Sequence, residues 1–381
     1  MNKHLRILIL IMAGMFAYFL LAQPIMMDDG SSYEGFTESL ARGKLDFKSF
    51  YGFQGLSFFA VPIFWLTKSK ISIIIASAIF SLLSIPLAYF VGREYYQDNP
   101  TSHKASKDAE KAGIYFLILF LLMPYPYTTM MRGFQEAALL FFILLIIYSS
   151  ISKKVWTPIA WAIGGIVKPF ALVLAPLFAK DFLNKKKIIW VVLGLLIGAV
   201  YLGTSYYQVG HLVNNAAIGS YQGNFDTGNP PPLLESFTGG IKGFLRVGAN
   251  LLVHSRKIMI SPLIIILGIV SLWFNKKVKL RKEIALAIAL NFLLVGSLSF
   301  SFSKYLLPMV VLLALVSVDY LNKYKWLMAL VLADSFFVFL PIWNYFGKSF
   351  WDSIYIYMIP LWLSVSLYLY AIRDSYYNSH S

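Results

Sequence analysis

Apolar positions in this chain recur in long runs from Leu5 to Ile372, broken by short basic or polar clusters, and neither half is exempt. The runs are Ile7–Ala22, Ile71–Val91, Gly113–Tyr127, Glu136–Ile151, Val155–Ala179, Ile188–Tyr207, Ser261–Phe274, Ile284–Phe300, Tyr305–Leu321, Trp326–Pro341 and Ile354–Ile372. A perpendicular transmembrane helix needs about 20 apolar residues. Several runs are shorter, which implies a locally thinned bilayer or helices buried in protein. The pattern predicts an all-α polytopic membrane protein of about 11–12 transmembrane helices. Lys3 and Arg6 precede the first run in the manner of a signal peptide. The ten apolar runs that follow, and the lack of a small-x-small site before Gln23, favour an uncleaved first span.

Two segments decide the topology. Phe53–Thr67 is short and begins beside Gln54 and Gly55. Val155–Ala179 is divided by Lys168-Pro169. If the first lies along the outer surface and the second is a hairpin, Arg93, Lys104, Lys107, Lys111, Lys153 and Lys154 face inward. If both are single spans, Lys68, Lys70 and Arg132 face inward instead. The positive-inside rule prefers the first arrangement, which puts 20 of the 33 Lys and Arg on the cytoplasmic side. The N-terminus is then cytoplasmic, in a plasma membrane of bacterial or archaeal type. The hairpin arms, 13 and 10 residues long, rise about 20 and 15 Å as α-helices. Lys168 therefore sits at the apex below the outer surface, where an ammonium either snorkels or meets an anion. The polar stretch Glu94–Ala112 reads as a plain cytoplasmic connection.

Composition agrees with the spans. Hydrophobic residues make up 58 % and charged residues 13 %, against roughly 25 % charged in a soluble domain, and the mean hydropathy is +0.67. A soluble enzyme is excluded. The net charge of +15 falls in clusters between apolar runs, such as Lys185-Lys186-Lys187. That is the signature of loops facing anionic lipid, so nucleic acid is not the expected partner. There is no cysteine, hence no disulfide, thiol catalysis or zinc-thiolate site.

The first outer loop, 23–70, carries the most informative stretch, from Met26 to Gly43. Ser31 or Ser32 is placed to cap a helix, with Asp28 and Asp29 before it, where carboxylates suit the helix dipole. Tyr33, Phe36, Thr37 and Leu40 share one face, Glu38 and Arg42 pair at i, i+4, and Gly43 ends the helix. This predicts an amphipathic helix lying on the bilayer. Asp28 and Asp29 are either cap and solvated charge, or a general base whose proton affinity is raised by partial desolvation. On the same side stand Arg132, Lys168 and Lys304, beside Tyr305. A base above cations at headgroup depth suits transfer from a lipid phosphate, where the leaving group is already a stable anion. Taken singly, each cation is equally an interfacial anchor. Glu136 is either a first-turn acid or an ion-pair partner of Arg132. Asp319 reads as structural, and Asp334 stands unexplained inside an apolar run. In the long outer loop 209–260, Ile241–Val253 is amphipathic, and Lys242 and Arg246 are i, i+4 neighbours suited to a headgroup phosphate. His211 and His254 lack metal-ligand spacing. No metal site or cofactor is indicated, although a divalent ion is left open.

The order of these features resembles the GT-C superfamily of polytopic glycosyltransferases, which includes the protein mannosyltransferases and the aminoarabinose transferases of lipid A. Its members have an acid motif in the first outer loop, then a tyrosine and a helix ending in Leu-x-x-Gly. Here these are Asp28-Asp29, Tyr33 and Leu40-Ala41-Arg42-Gly43. A glycine-rich short span running into Lys-Pro is matched by Gly164-Gly165-Ile166-Val167-Lys168-Pro169. A late basic residue before Tyr and Pro is matched by Lys304-Tyr305-Leu306-Leu307-Pro308. The resemblance covers residues 1–180 well, as a catalytic module, and 261–381 loosely, within one integral membrane domain. It implies a polyprenyl-phosphate sugar donor, a glycan, lipid or protein acceptor, inversion at the anomeric carbon, and chemistry on the extracytoplasmic face. Asp28 or Asp29 is the implied base, and Lys168, Arg132, Lys304 and Tyr305 hold the donor phosphate. Tyr33, Glu136, Lys242 and Arg246 are in support. Two competing readings remain. An O-antigen-type polymerase or ligase centres on late-loop arginines, here Arg246 and Arg256. A transporter would show inverted repeats and paired broken helices, and one break, at Lys168-Pro169, is visible.

Overall fold

The computed structural model describes residues 3–21, 28–50, 53–69, 71–96, 103–123, 133–210, 241–242, 245, 261–275, 278–296, 303–345 and 363–370. Within these residues the chain is helical throughout, without strands. The all-α expectation holds. Helix α1 is Lys3–Leu21 and α2 is Asp28–Ala41. A loop leads to α3 (Gly55–Thr67), α4 (Ser72–Tyr96), α5 (His103–Leu121), α6 (Glu136–Ile151) and α7 (Thr157–Val167). A 3₁₀ segment, Pro169–Leu183, precedes α8 (Ile188–Val209). Then come α9 (Pro262–Phe274), α10 (Arg281–Gly296), a 3₁₀ turn at Ser303–Leu306, α11 (Leu307–Lys323) and α12 (Trp326–Tyr345).

The core is built on α4, α5, α6 and α11. Buried residues run without a break from Leu307 to Val318 on α11. A helix buried on every side needs no amphipathic stripe, which is why its sequence reads as one apolar run. Small residues set the closest approaches. A Cβ on Gly92 would lie 2.5 Å from Phe116 Cβ and 2.9 Å from the Ala112 oxygen, so α4 and α5 pack through backbone. The outer helices are different. Helix α8 turns Ile189, Val192, Leu195, Leu196 and Val200 outward, each at least half exposed. An apolar face of that extent is lipid-compatible and costly in water. Among the described residues, α4 and α8 are the two helices long and apolar enough to cross a bilayer on their own.

Polar side chains tie the ends together. The amide of Asn275 and the hydroxyl of Tyr95 donate to Asp319, at 3.1 and 3.4 Å. This joins α4, α9 and α11 and gives Asp319 the structural part expected of it. Asp334 on α12 is now explained. It accepts from the Ser261 hydroxyl and from the Leu263 N–H at 3.3 Å, so it caps α9 from a neighbouring helix. The Leu263 N–H is one of the orphan groups of a helix N-terminus, where a carboxylate also meets the favourable end of the dipole.

Three expectations need correction. The helix of the first loop begins at Asp28, so Ser31 and Ser32 lie within its first turns and do not precede it as caps. Its apolar face covers protein: Phe36 is wholly buried and meets Phe47, Phe50 and Phe58 with ring centroids 5.3 to 5.9 Å apart. The stretch Glu94–Ala112 is largely helical, because α4 runs on to Tyr96 and α5 starts at His103. Ala109 and Ala112 are buried there, while Asp108, Glu110 and Lys111 keep partial exposure. Other readings are met: Glu38 pairs with Arg42, and Gly43, at φ +78°, closes α2 by donating to the Leu40 carbonyl at 2.9 Å.

Two predictions come from this packing. A Cβ on Gly55 would stand 2.4 Å from Val167 Cα, a backbone contact that no rotamer relieves. Gly55→Ala should therefore lower stability by about 1–3 kcal/mol, read as a fall in thermal midpoint in detergent. In the loop after α2, Asp46 accepts from the Ser49 hydroxyl and from the Lys48 and Ser49 amides at 2.6, 3.0 and 3.1 Å. The Ser49 hydroxyl is the main cause that holds this carboxyl below its ordinary value of 3.8. A depressed folded-state value means the loop is stabilised above that ordinary value and loses this as pH falls through the lower one. Protection of the Lys48 and Ser49 amides against hydrogen exchange should fall in that range, and Asp46→Ala should remove the response.

Candidate functional site

The site begins with a break in a helix. Helix α7 starts with Pro158 and ends where Pro169 forbids continuation, leaving Lys168 extended at φ −154°, ψ 136°. The chain then turns back. A Cβ on Gly164 would meet Ala171 Cβ at 3.1 Å, Trp161 donates to the Leu172 carbonyl at 3.1 Å, and Trp161 meets Phe178 at 5.7 Å. These antiparallel pairs make the hairpin expected at Lys168-Pro169, with Lys168 at its apex. The second arm differs from expectation. It is a 3₁₀ helix with Pro176 inside and a kink at Phe178. At about 2 Å per residue its 15 residues reach further than an α-helical arm.

Lys168 does not stand alone. Its ammonium forms an ion pair with Glu136, and the two side chains are 12 % and 2 % exposed. Glu136 occupies the first turn of α6, where the dipole favours its charge. Its observed ion pair is thus with Lys168; Arg132, the partner considered from sequence, lies outside the described residues. The ammonium also lies 5.7 Å from the centroid of Tyr305, whose ring stacks on Phe170 at 4.3 Å. Tyr305 is held in turn from below. Buried Asn291 donates to the Tyr305 carbonyl at 3.1 Å and accepts from the Met309 N–H at 3.2 Å. Three residues picked from sequence, Lys168, Glu136 and Tyr305, are therefore one cluster.

The first loop reaches the same end of the bundle. The Ser57 hydroxyl donates to the Tyr33 carbonyl at 2.8 Å, joining α2 to α3. Two residues earlier, Gly55 abuts Val167, the neighbour of Lys168. Gln135, beside Glu136, donates to the Phe53 carbonyl. Asp28 and Asp29 form the start of α2; their side chains lie outside the described residues, as do those of Lys304 and Arg246. Lys242 is helical and exposed. His211 and His254 also lie outside. Among the described residues no group of three potential metal ligands occurs.

Next to the apex opens a cavity of about 460 Å³ between α3, α7, α8 and the loop at Leu45–Phe47. Gly55, Ile163, Val167, Leu196 and Val200 are among the residues that line it. Its walls are almost wholly apolar. The loop is pinned over it by Gln208, which accepts from the Phe47 N–H at 2.8 Å and donates to the Leu45 carbonyl at 2.7 Å. Tyr201 accepts from the Gln54 N–H at 2.9 Å and packs edge-on against Phe47 at 5.2 Å. Lys168 follows directly on Val167 in the cavity wall, and a cation beside an apolar cavity suits an amphiphile with an anionic head.

Sequence reasoning missed several of these parts. Asn291 was visible as a lone amide inside an apolar run, a pattern that signals a buried partner. Glu34 is buried on α2, 5 % exposed, and only the neighbouring buried Thr37 hinted at it. Gln208 and Tyr201 carried no local signal, since their partners lie about 150 residues away.

No protein-family model and no curated relative matches the sequence. Two solved structures are similar, both of ArnT from Cupriavidus metallidurans. The apo structure aligns with a TM-score of 0.52 at 11 % identity, over 97 % of this chain and 77 % of that one. The structure bound to undecaprenyl phosphate aligns at 0.53 and 12 % identity, over 95 % and 69 %. At such identity the likeness concerns the fold alone.

Removing one partner of a buried ion pair leaves a charge in a low dielectric. Lys168→Met should therefore cost about 3 kcal/mol of stability, and the double variant Lys168→Met/Glu136→Leu should recover much of it. Denaturation of the four proteins of this cycle in detergent measures the coupling.

Proposed function

We propose that this protein is a membrane glycosyltransferase that moves a sugar from a polyprenyl-phosphate-linked donor to a glycan, lipid or protein acceptor, with inversion. The observation that carries the reading is the apolar cavity walled in part by Val167, the residue before Lys168. The cavity takes the first isoprene units of a polyprenyl chain, and the neighbouring Lys168 ammonium meets the phosphate. The GT-C-like fold and a neighbour of that fold with undecaprenyl phosphate bound support the same assignment.

In this reading Asp28 or Asp29 accepts the proton of the acceptor hydroxyl as its oxygen attacks the anomeric carbon. The bond from that carbon to the donor phosphate oxygen breaks, and Lys168, with Arg132 and Lys304, stabilises the departing phosphate. Tyr305 supports Lys168 through its ring face. Tyr33 anchors α2 on α3, Glu136 orients the ammonium, and Lys242 and Arg246 contact headgroup phosphate. The N-terminus and the Lys-rich breaks face the cytoplasm, and the site faces outward.

Purified protein incubated with a panel of labelled undecaprenyl-phosphate sugars should release label from the lipid. Asp28→Asn/Asp29→Asn should lower turnover by at least about 10³-fold while undecaprenyl phosphate still raises the thermal midpoint. Full turnover by that double variant removes the base from the mechanism. Val200→Trp, which fills the cavity from an exposed position on α8, should weaken undecaprenyl phosphate binding about tenfold. Unchanged affinity would sink the assignment of the cavity to the lipid chain.

A further inference from the structure

The ion pair at the apex has a consequence for product release, one that rests on the sugar-transfer reading. Transfer forms the bond between acceptor oxygen and anomeric carbon and breaks the bond between that carbon and the phosphate oxygen. The acceptor's proton goes to the aspartate, and the electron pair of the broken bond stays on the phosphate. A singly charged diester thereby becomes a monoester carrying about −1.5 to −2 charges. A cation that favours departure of this group also favours its retention, and slow product release limits many enzymes.

In this protein the cation is already engaged. Glu136 holds the Lys168 ammonium from a position 2 % exposed to solvent. The carboxylate does not depend on Lys168 alone, because it sits in the first turn of α6, where the helix dipole stabilises negative charge. Because an ammonium has three N–H donors, the carboxylate stays paired with it while it also meets a phosphate. It then repels that phosphate across a water-poor space, where charges act strongly. The repulsion grows with the second charge of the product and acts less on the donor.

We propose that Glu136 is a positioning residue that sets the site against the doubly charged lipid phosphate, so that the product leaves. Gln is the informative replacement, because it keeps an oxygen acceptor for Lys168 and removes the charge.

The test compares affinities for two probes at pH 8, undecaprenyl phosphate and its singly charged methyl ester. The wild-type chain should hold the two within about threefold of each other. Glu136→Gln should favour the monoester by about tenfold more than wild type does. Its multiple-turnover kcat should fall, with a burst of one turnover per site, while the single-turnover rate is kept. A purely structural role for Glu136 would weaken both lipids by one common factor and leave no burst, and that result overturns the proposal. Should the variant fail to fold, the wild-type ratio still decides: a preference of tenfold or more for the monoester overturns it. If the wild-type chain binds neither lipid, the sugar-transfer reading falls, and this proposal with it. If it binds both and the ratio does not respond to Glu136→Gln, only the proposal falls.

Discussion

Burying opposite charges together dictates much of this architecture. Lys168 and Glu136 come from separate helices, and each is too costly to bury without the other. Their meeting forces the N-terminus of α6 and the apex of the hairpin to the same depth. It also restricts what stands around them. Gly55 must lack a side chain so that α3 can lie against Val167, and Tyr305 must present its ring to the ammonium. Asn291 then completes the frame by fixing the turn that carries Tyr305. The polar groups of this region thus come from four different segments: α6, the hairpin apex, α10 and the turn before α11.

Around the pair the protein separates two environments sharply. One side is an ion pair at the end of a helix dipole; the other is an apolar cavity closed by aromatic rings and by a loop pinned through Gln208. Such a boundary is expensive to build unless a ligand has the same division, an anionic head on a hydrocarbon chain. The outward apolar face of α8 also forms one wall of the cavity, through Leu196 and Val200.

The helices themselves were legible in sequence because apolar runs and their Lys, Pro and Gly borders are local properties. Glu136–Ile151 and the start of α8 at Ile188 agree to the residue, and the Lys-Pro break gave the hairpin. The polar stretch before Gly113 misled, since charged residues continue a helix when alanines at i, i+3 bury a narrow face. The first-loop helix misled in another way: its apolar face has the pattern of a bilayer-facing surface, and the same pattern serves a protein partner equally well.

Composition and order alone determined that the chain is helical and built of apolar runs, with a conspicuous acid pair, a Lys-Pro break and a late Lys-Tyr. Pairing was decided only by tertiary structure. Glu136 met Lys168 across 32 residues, Asp334 capped a helix that begins 72 positions earlier, and Gln208 clasped a loop 161 and 163 positions away. A sequence states the period of a helix, because that repeats within a turn. It does not state which buried charges will share one low-dielectric space, because that depends on how whole helices dock.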